Sequence, residues 1–424
     1  MPRIPKLGLT GWIMVALAAG LVCGLLQYLL LPEAVNAGII RWVHDPLGDI
    51  FLNGIRMLVV PLVLVSLTLG TAAIGDLRKL GRIGGKVMGL YLGTTAVAIT
   101  LGYGLAKLFH PGRGLSLPVE AAFEAKSKPF IMDIIVDIVP TNPFLGMVEG
   151  KMLQVIFIAI LAGLSIASLG DKAAPVKRGL ESLDAIIQKM VWFVMMFAPF
   201  GVFGLLAKVV ASEGIEVFIP LIKYMGTILG GMGLHVLVTY SLVLIVFAKL
   251  NPVRFFLNAW PAVVVAFSTA SSNATLPVTM RVSEERMGTD ESIHSFTLPL
   301  GATVNMDGTA FMQGCATVFI AEVYGIPLST GDFLTVVLMA TLASIGTAGV
   351  PGAGLIMLSM VLHEVGLPIE GIGIILGVDR VLDMCRTAVN VCGDLAATAV
   401  VSKSEGALNQ ATYDHESPRM TVGS

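Results

Sequence analysis

The segment DRVLDMCRTAVNVCGD, residues 379 to 394, sets three aspartates, two arginines and an asparagine into an otherwise apolar run. On a helix turning about 100° per residue, Asp379, Asp383, Arg386, Asn390 and Asp394 share roughly an 80° arc, with Thr387 beside it. A charged side chain at the centre of a membrane helix costs on the order of 2.5 to 3.5 kcal/mol to insert, so this stripe faces a polar cavity rather than lipid. The chemistry it offers is recognition: an arginine grips a carboxylate through two parallel N–H donors. An aspartate beside it takes an ammonium group. The alternative is a structural ion-pair ladder, to which Asp379 and Arg380 near the helix start are best suited.

A second cluster, NMDGT at 305 to 309, places an amide, a carboxylate, a helix-weakening glycine and a hydroxyl in another apolar run. Unwinding there would free backbone carbonyls, which is tolerated in a membrane only where they line a cavity or coordinate something. Hard oxygen donors without His or Cys suit Na⁺ better than a transition metal. A plain glycine kink with a hydrogen-bonded Asp307 is the competing reading. Thr94 and Thr95, by pattern alone, read as packing or back-bonding hydroxyls. The histidines (His44, His110, His235, His294, His363, His415) are scattered, none beside a serine or cysteine in a hydrolase-like motif. The cysteines, Cys23, Cys315, Cys385 and Cys392, form no CxxC pair and read as buried small hydrophobes.

The elements that must hold these groups are membrane helices. Only 13% of residues are charged and 55% are apolar, against roughly a quarter charged in a soluble domain, and the mean hydropathy is +0.85. Spans are expected near 10–31, 46–74, 83–109, 130–169 (broken by Pro140 and Pro143), 177–210, 217–249, 291–323 and 369–402, giving eight transmembrane helices in an all-α membrane protein. The apolar N-terminal run exceeds a signal-peptide core and reads as the first span. Basic residues recur at the N-terminus and after spans two, four and six, which puts those loops and both termini in the cytoplasm. A net charge of −2 and the lack of any Lys/Arg-rich stretch give no sign of nucleic-acid binding.

Two further apolar segments break the count. Residues 252–290 run to FSTASSNATLP and return between basic flanks; 329–368 run to ASIGTAGVPGAG and return between flanks poor in Lys and Arg. Limbs of some 13 to 16 residues make about 20 to 24 Å of helix, too short to span, so both read as re-entrant hairpins entered from opposite sides. Reading each as one kinked helix would invert every later segment. The halves also echo each other, NATLP with TAGVP and VNMDGTA with LDMCRTA, in the same order. That is the signature of inverted repeats, whose transporters bind substrate at the midplane between the halves.

The segments SSNATLPVTM, FTLPLGATVNMDGTA, ASIGTAGVPGAG and LDMCRTAVNVCGD, in this order and spacing, resemble the glutamate transporter family: excitatory amino acid transporters and prokaryotic sodium/aspartate symporters, within the dicarboxylate/amino acid:cation symporters. The likeness extends over essentially the whole chain, and the short loops are similar to those of prokaryotic members, implying a multi-pass protein of a prokaryotic inner membrane. It implies a homotrimer working as an elevator. Scaffold helices would lie in 1–75 and 111–210, a transport domain in 76–110 and 211–403, and a cytoplasmic tail in 404–424. It implies substrate contacts at Ser271 and Ser272, Thr309, Val350 and Gly354, and Asp383, Arg386, Thr387 and Asn390. Of three implied sodium sites, one uses Gly301, Asn305, Asn390 and Asp394. A second uses Thr303, Met306, Ser344, Ile345 and Thr347, and a third Tyr91, Thr94, Thr95, Asn305 and Asp307.

The implied activity is symport of L-aspartate or L-glutamate with Na⁺ as coupling ion, not enzymatic catalysis. Asp307 and Asp394 would be left uncompensated until cations bind. Two departures stand out: positions where relatives carry an arginine hold Ala270 and Met384, while Arg380 lies one turn before Met384. Arg380 is therefore expected to supply that charge. Asn273 replaces a common serine. A proton-coupled symporter, a carrier of neutral amino acids or dicarboxylates, and an anion channel are the rival readings. No nucleophile–base pair supports an intramembrane enzyme.

Overall fold

The computed structural model describes residues 9–75, 82–115, 136, 139–149, 151–214, 218–344 and 352–414. Among them every regular element is a helix; the one isolated bridge pairs Thr289 with Leu408. The principal helices are α1 (Leu9–Leu30), α2 (Asp45–Gly75), α3 (Arg82–Phe109), α4 (Met152–Leu169), α5 (Ala174–Met196), α6 (Ala198–Glu213) and α7 (Phe218–Leu234). They continue with α8 (Pro252–Thr269), α9 (Ser272–Glu285), α10 (Glu291–Val304), α11 (Asp307–Val323), α12 (Thr330–Ser344), α13 (Ala353–Glu364) and α14 (Ile372–Ser404). Among the described residues, five stretches are long and apolar enough to cross a membrane: Gly11–Leu30, Glu33–Ala72, Arg82–Phe109, Gln154–Met196 and Phe218–Ala248.

Where the structure describes them, the expected spans are largely helical, with three local corrections that each have a backbone cause; in the one expected at 130–169, residues 130–135, 137, 138 and 150 lie outside the described residues and the long helix starts at Met152. The span expected at 177–210 divides at Phe197, because Pro199 sits in the first turn of α6 and cannot continue the hydrogen-bond ladder of α5. The one at 217–249 leaves α-helical geometry after Leu234, running through π-helical turns at His235–Tyr240 and Leu244–Ala248 before Lys249 closes it with φ +53°. The one at 291–323 breaks at Asn305 and Met306, whose φ, ψ of −100°, 90° and −114°, 52° are not helical.

Two groupings of contacts organise the molecule. α1 packs on α6, and α2 on α4, α5 and α6. Separately, α3 packs on α7, α11 and α12, while α14 is wrapped by α3, α7, α8, α9, α10 and α11. The two sets meet where α6 touches α14 and where α13 touches α2. α8 and α9 pack on each other across a tight connection. Ala270 takes φ +50° and Ser271 caps α9 by accepting from the Ala274 N–H at 3.2 Å. α12 and α13 likewise pack on each other.

Just beyond α14, Glu405 accepts from Arg82 at 2.6 Å and from Lys86 at 2.5 Å, tying that end to the start of α3. These cations hold the Glu405 carboxyl at about 2, below its ordinary value. A carboxyl depressed on folding stabilises the native state above its unfolded pKa and loses that contribution as pH falls through the folded value. Arg82 is 74% exposed, so the effect is small. Glu405→Gln is expected to melt slightly below wild type at pH 7, with the gap closing as pH approaches 2; a gap that persists there would contradict this assignment.

Candidate functional site

The charged stripe of α14 is buried, and Arg386 at its centre is 1% exposed. Its Nη1 donates to Asp379 Oδ1 at 2.6 Å and its Nη2 to Asp383 Oδ1 at 2.9 Å, while its Nε is buried without a partner. Arg380 Nη1 reaches Asp383 Oδ2 at 3.4 Å. Asp379 thus serves Arg386 rather than forming the ladder with Arg380 that the sequence suggested. Two carboxylates and two guanidiniums form a charge-balanced cluster, buried except for the partly exposed Arg380. Thr387 turns its hydroxyl back to the Asp383 carbonyl at 2.9 Å.

Facing this cluster is the broken helix pair α10–α11. The break lies at Asn305 and Met306, two residues before the glycine expected to cause it. Gly308 instead permits close packing. A methyl there would stand 2.5 Å from the Arg386 carbonyl oxygen, so only glycine lets α11 approach the α14 backbone this closely. The Gly308 N–H donates to Asn390 Oδ1 at 2.7 Å, and Asn390 Nδ2 reaches Met306 Sδ at 3.1 Å and Thr309 Oγ1 at 3.5 Å. Gly354 of α13 closes the other side; a methyl on it would lie 3.2 Å from Thr309 Cγ2 and 3.6 Å from Arg386 Nη2. Thr309, Gly354, Asp383, Arg386, Thr387 and Asn390 therefore meet at one place. A cleft lined by Phe51, Met195, Gly352, Asp379, Arg380 and Asp383 leads to it from between the two helix groupings.

Ser271 and Ser272 are buried at the start of α9, which packs on α14. Val350, Ile345 and Thr347 lie outside the described residues. Of the members of the sodium set of Ile345 and Thr347 that are described, Thr303 and Ser344 bond to the backbone carbonyls of Leu300 and Thr341, and Met306 accepts from Asn390 on its sulfur.

Below the break, Asn305 Nδ2 donates to Asp394 Oδ1 at 3.0 Å, leaving Asn305 Oδ1 buried without a partner. A methyl on Gly301 would sit 2.5 Å from Asp394 Oδ1 and 2.6 Å from the Tyr91 hydroxyl. An orphaned acceptor, a buried carboxylate and a glycine between them make a fit for a hard monovalent cation. Asp307, expected to lack a countercharge, is met by hydrogen-bond donors: it accepts from Thr95 at 2.7 Å on Oδ1 and from Tyr240 at 3.0 Å on Oδ2, with His235 Nε2 at 3.4 Å from Oδ2. Tyr91 donates to the Thr297 carbonyl at 2.9 Å, and Thr94 to that of Tyr91 at 3.2 Å. His235 and Tyr240 escaped sequence reasoning, since five residues apart on an α-helix they would point about 140° away from each other. Only the π-helical turn, bonded i to i+5, stacks them on one side.

Residues 9–404 match the sodium:dicarboxylate symporter family. The chain is 35% identical to the proton/sodium-glutamate symport protein of Geobacillus stearothermophilus over 415 residues, 96% of each chain. It is 36% identical to the proton/glutamate-aspartate symporter of Escherichia coli, covering 94% of this chain and 93% of the relative. The C4-dicarboxylate transport protein of Bordetella avium is 34% identical, covering 86% and 84%. The buried charged helix, the broken helix facing it and a match along nearly the whole chain agree that this protein belongs to the sodium:dicarboxylate symporter family.

Proposed function

We propose that this chain is a sodium-coupled symporter of L-aspartate or L-glutamate. The observation that carries the proposal is Arg386, fully buried and held between Asp379 and Asp383 beside Thr309, Gly354 and Asn390. A substrate carboxylate can displace Asp383 from Nη2 of Arg386. The freed Asp383, still near Arg380, then takes the substrate ammonium. The exchange keeps the number of buried ion pairs from falling, which matters because an unpaired buried charge costs several kcal/mol. It also demands both an acid and an amine on the substrate. Asn390, with Ser271 and Ser272, holds the α-carboxylate.

Sodium travels with the substrate at two places: beside Asp394, with Asn305, Asn390 and Gly301, and at the set of Thr303, Met306 and Ser344. The glutamate-carrying relatives include proton-coupled ones, but Asn305 Oδ1 is an acceptor with no donor, which suits a bare cation. The grouping of α3 with α7–α14 against α1, α2 and α4–α6 supports a mobile transport domain moving against a scaffold. We place it in a homotrimer in a bacterial inner membrane with both termini cytoplasmic; the α8–α9 and α12–α13 pairs act as re-entrant hairpins, the second as gate. A C4-dicarboxylate, suggested by the Bordetella relative, would leave Asp383 with only Arg380 and no ammonium.

The test is equilibrium binding of L-aspartate, L-glutamate, L-serine and succinate to purified protein, with and without Na⁺. One of the two acidic amino acids is expected to bind best, and only with sodium. Sodium-independent binding would refute the coupling, and preference for L-serine or succinate would refute the roles of Arg386 and Asp383.

A further inference from the structure

We infer that His235 and Tyr240 take the place of a cation at Asp307, so that this symporter carries two sodium ions rather than the three its family resemblance implies. The inference rests on the sodium-coupled reading above and concerns its stoichiometry. Asp307 is 0% exposed, as are His235 and Tyr240. A buried carboxylate requires either a cation or a set of donors, and here the donors are supplied by the protein. Tyr240 donates its phenolic proton to Oδ2 at 3.0 Å, within reach also of the Val389 carbonyl at 3.2 Å. His235 Nε2 stands 3.4 Å from the same oxygen. A carboxylate oxygen carries no hydrogen, so that contact is attractive only with the proton on Nε2, which presents an N–H to that oxygen. Thr95 donates to the other oxygen at 2.7 Å.

Two further side chains of the implied ligand set, those of Tyr91 and Thr94, give their hydrogens to backbone carbonyls. Tyr91 serves Thr297 and stands beside Asp394, and Thr94 serves its own helix. Asn305, shared between the two implied sets, gives its N–H to Asp394 and keeps a bare oxygen, whereas Asp307 itself is met by an N–H and two O–H groups. The π-helical turn is what delivers this pair of donors. It sets His235 and Tyr240, five residues apart, onto one face, and the rings stack edge to face at 5.0 Å.

The test counts ²²Na⁺ bound per protomer to the purified full-length protein at saturating L-aspartate. Wild type is expected to bind two. The double variant His235→Leu/Tyr240→Phe, which strips Oδ2 of both donors, is expected to bind three, and adding Asp307→Asn to it should return the count to two. Three sodium ions on wild type would overturn the inference, as would a folded double variant that gains none. Should wild type bind no sodium at all, the sodium reading of the transport cycle fails. The gain of one ion by the double variant, reversed by Asp307→Asn, would still uphold the substitution of donors for a cation.

Discussion

Arg386→Ala is expected to weaken L-aspartate and L-glutamate binding by about 100-fold or more, the largest effect of any single change in this protein. Removing one partner of a buried ion pair costs on the order of 3 to 5 kcal/mol, and each 1.4 kcal/mol is about tenfold in affinity. Two losses combine here. The substrate carboxylate loses its forked donor, and Asp379 and Asp383, both buried, lose the cation that compensates them. The variant should therefore also melt at lower temperature. Arg386→Lys keeps the charge but not the fork, and should recover part of the stability and little of the affinity. Arg380→Ala removes a longer contact, 3.4 Å, from a partly exposed side chain. Its effect should be smaller, about tenfold, and expressed as poorer positioning of Asp383. Isothermal titration with each variant reads all three, and near wild-type affinity in Arg386→Ala would remove the basis of the proposed binding mode.

Gly301→Ala is expected to raise the sodium concentration needed for half-maximal L-aspartate binding by about tenfold or more. The added methyl would come within 2.5 Å of Asp394 Oδ1 and 2.6 Å of the Tyr91 hydroxyl, well inside van der Waals contact. Neither neighbour can retreat. Tyr91 is fully buried and held by the Thr297 carbonyl, and Asp394 is held by Asn305. Overpacking of this kind costs about 1 to 3 kcal/mol, and here the cost falls on the geometry of the cation ligands rather than on the Arg386 cluster across the helix break. Affinity for L-aspartate should consequently return toward wild type as sodium is raised to saturation. A variant whose defect is unchanged at any sodium concentration would place the damage in the fold or the substrate pocket instead.

The Asp307 site illustrates how differently two aspartates of similar sequence context can be treated. Asp307 and Asp394 both lie in apolar runs next to a glycine, and both are fully enclosed. One meets the amide N–H of an asparagine whose oxygen is bare; the other meets a tyrosine, a histidine and a threonine that all offer hydrogens. The difference is contributed by the π-helical continuation of α7, a segment with no charged residue before Lys249 and no motif to mark it.

Local physics written along the chain was enough for the membrane class, the all-helical build, the neighbourhood of the helix break and the burial of the α14 stripe. Hydrophobic runs of fixed length specify spans, and a charge every third or fourth residue in such a run specifies one buried face. Partner choice was not legible in that way. Asp379 pairs with Arg386 rather than Arg380, and Gly308 serves close packing rather than unwinding. His235 and Tyr240 converge on Asp307 only because a π-helical turn rephases the helix beyond α7. These depend on which backbone segments come within a few ångströms of each other and on side-chain directions set by non-α geometry, and no spacing along a single helix encodes them.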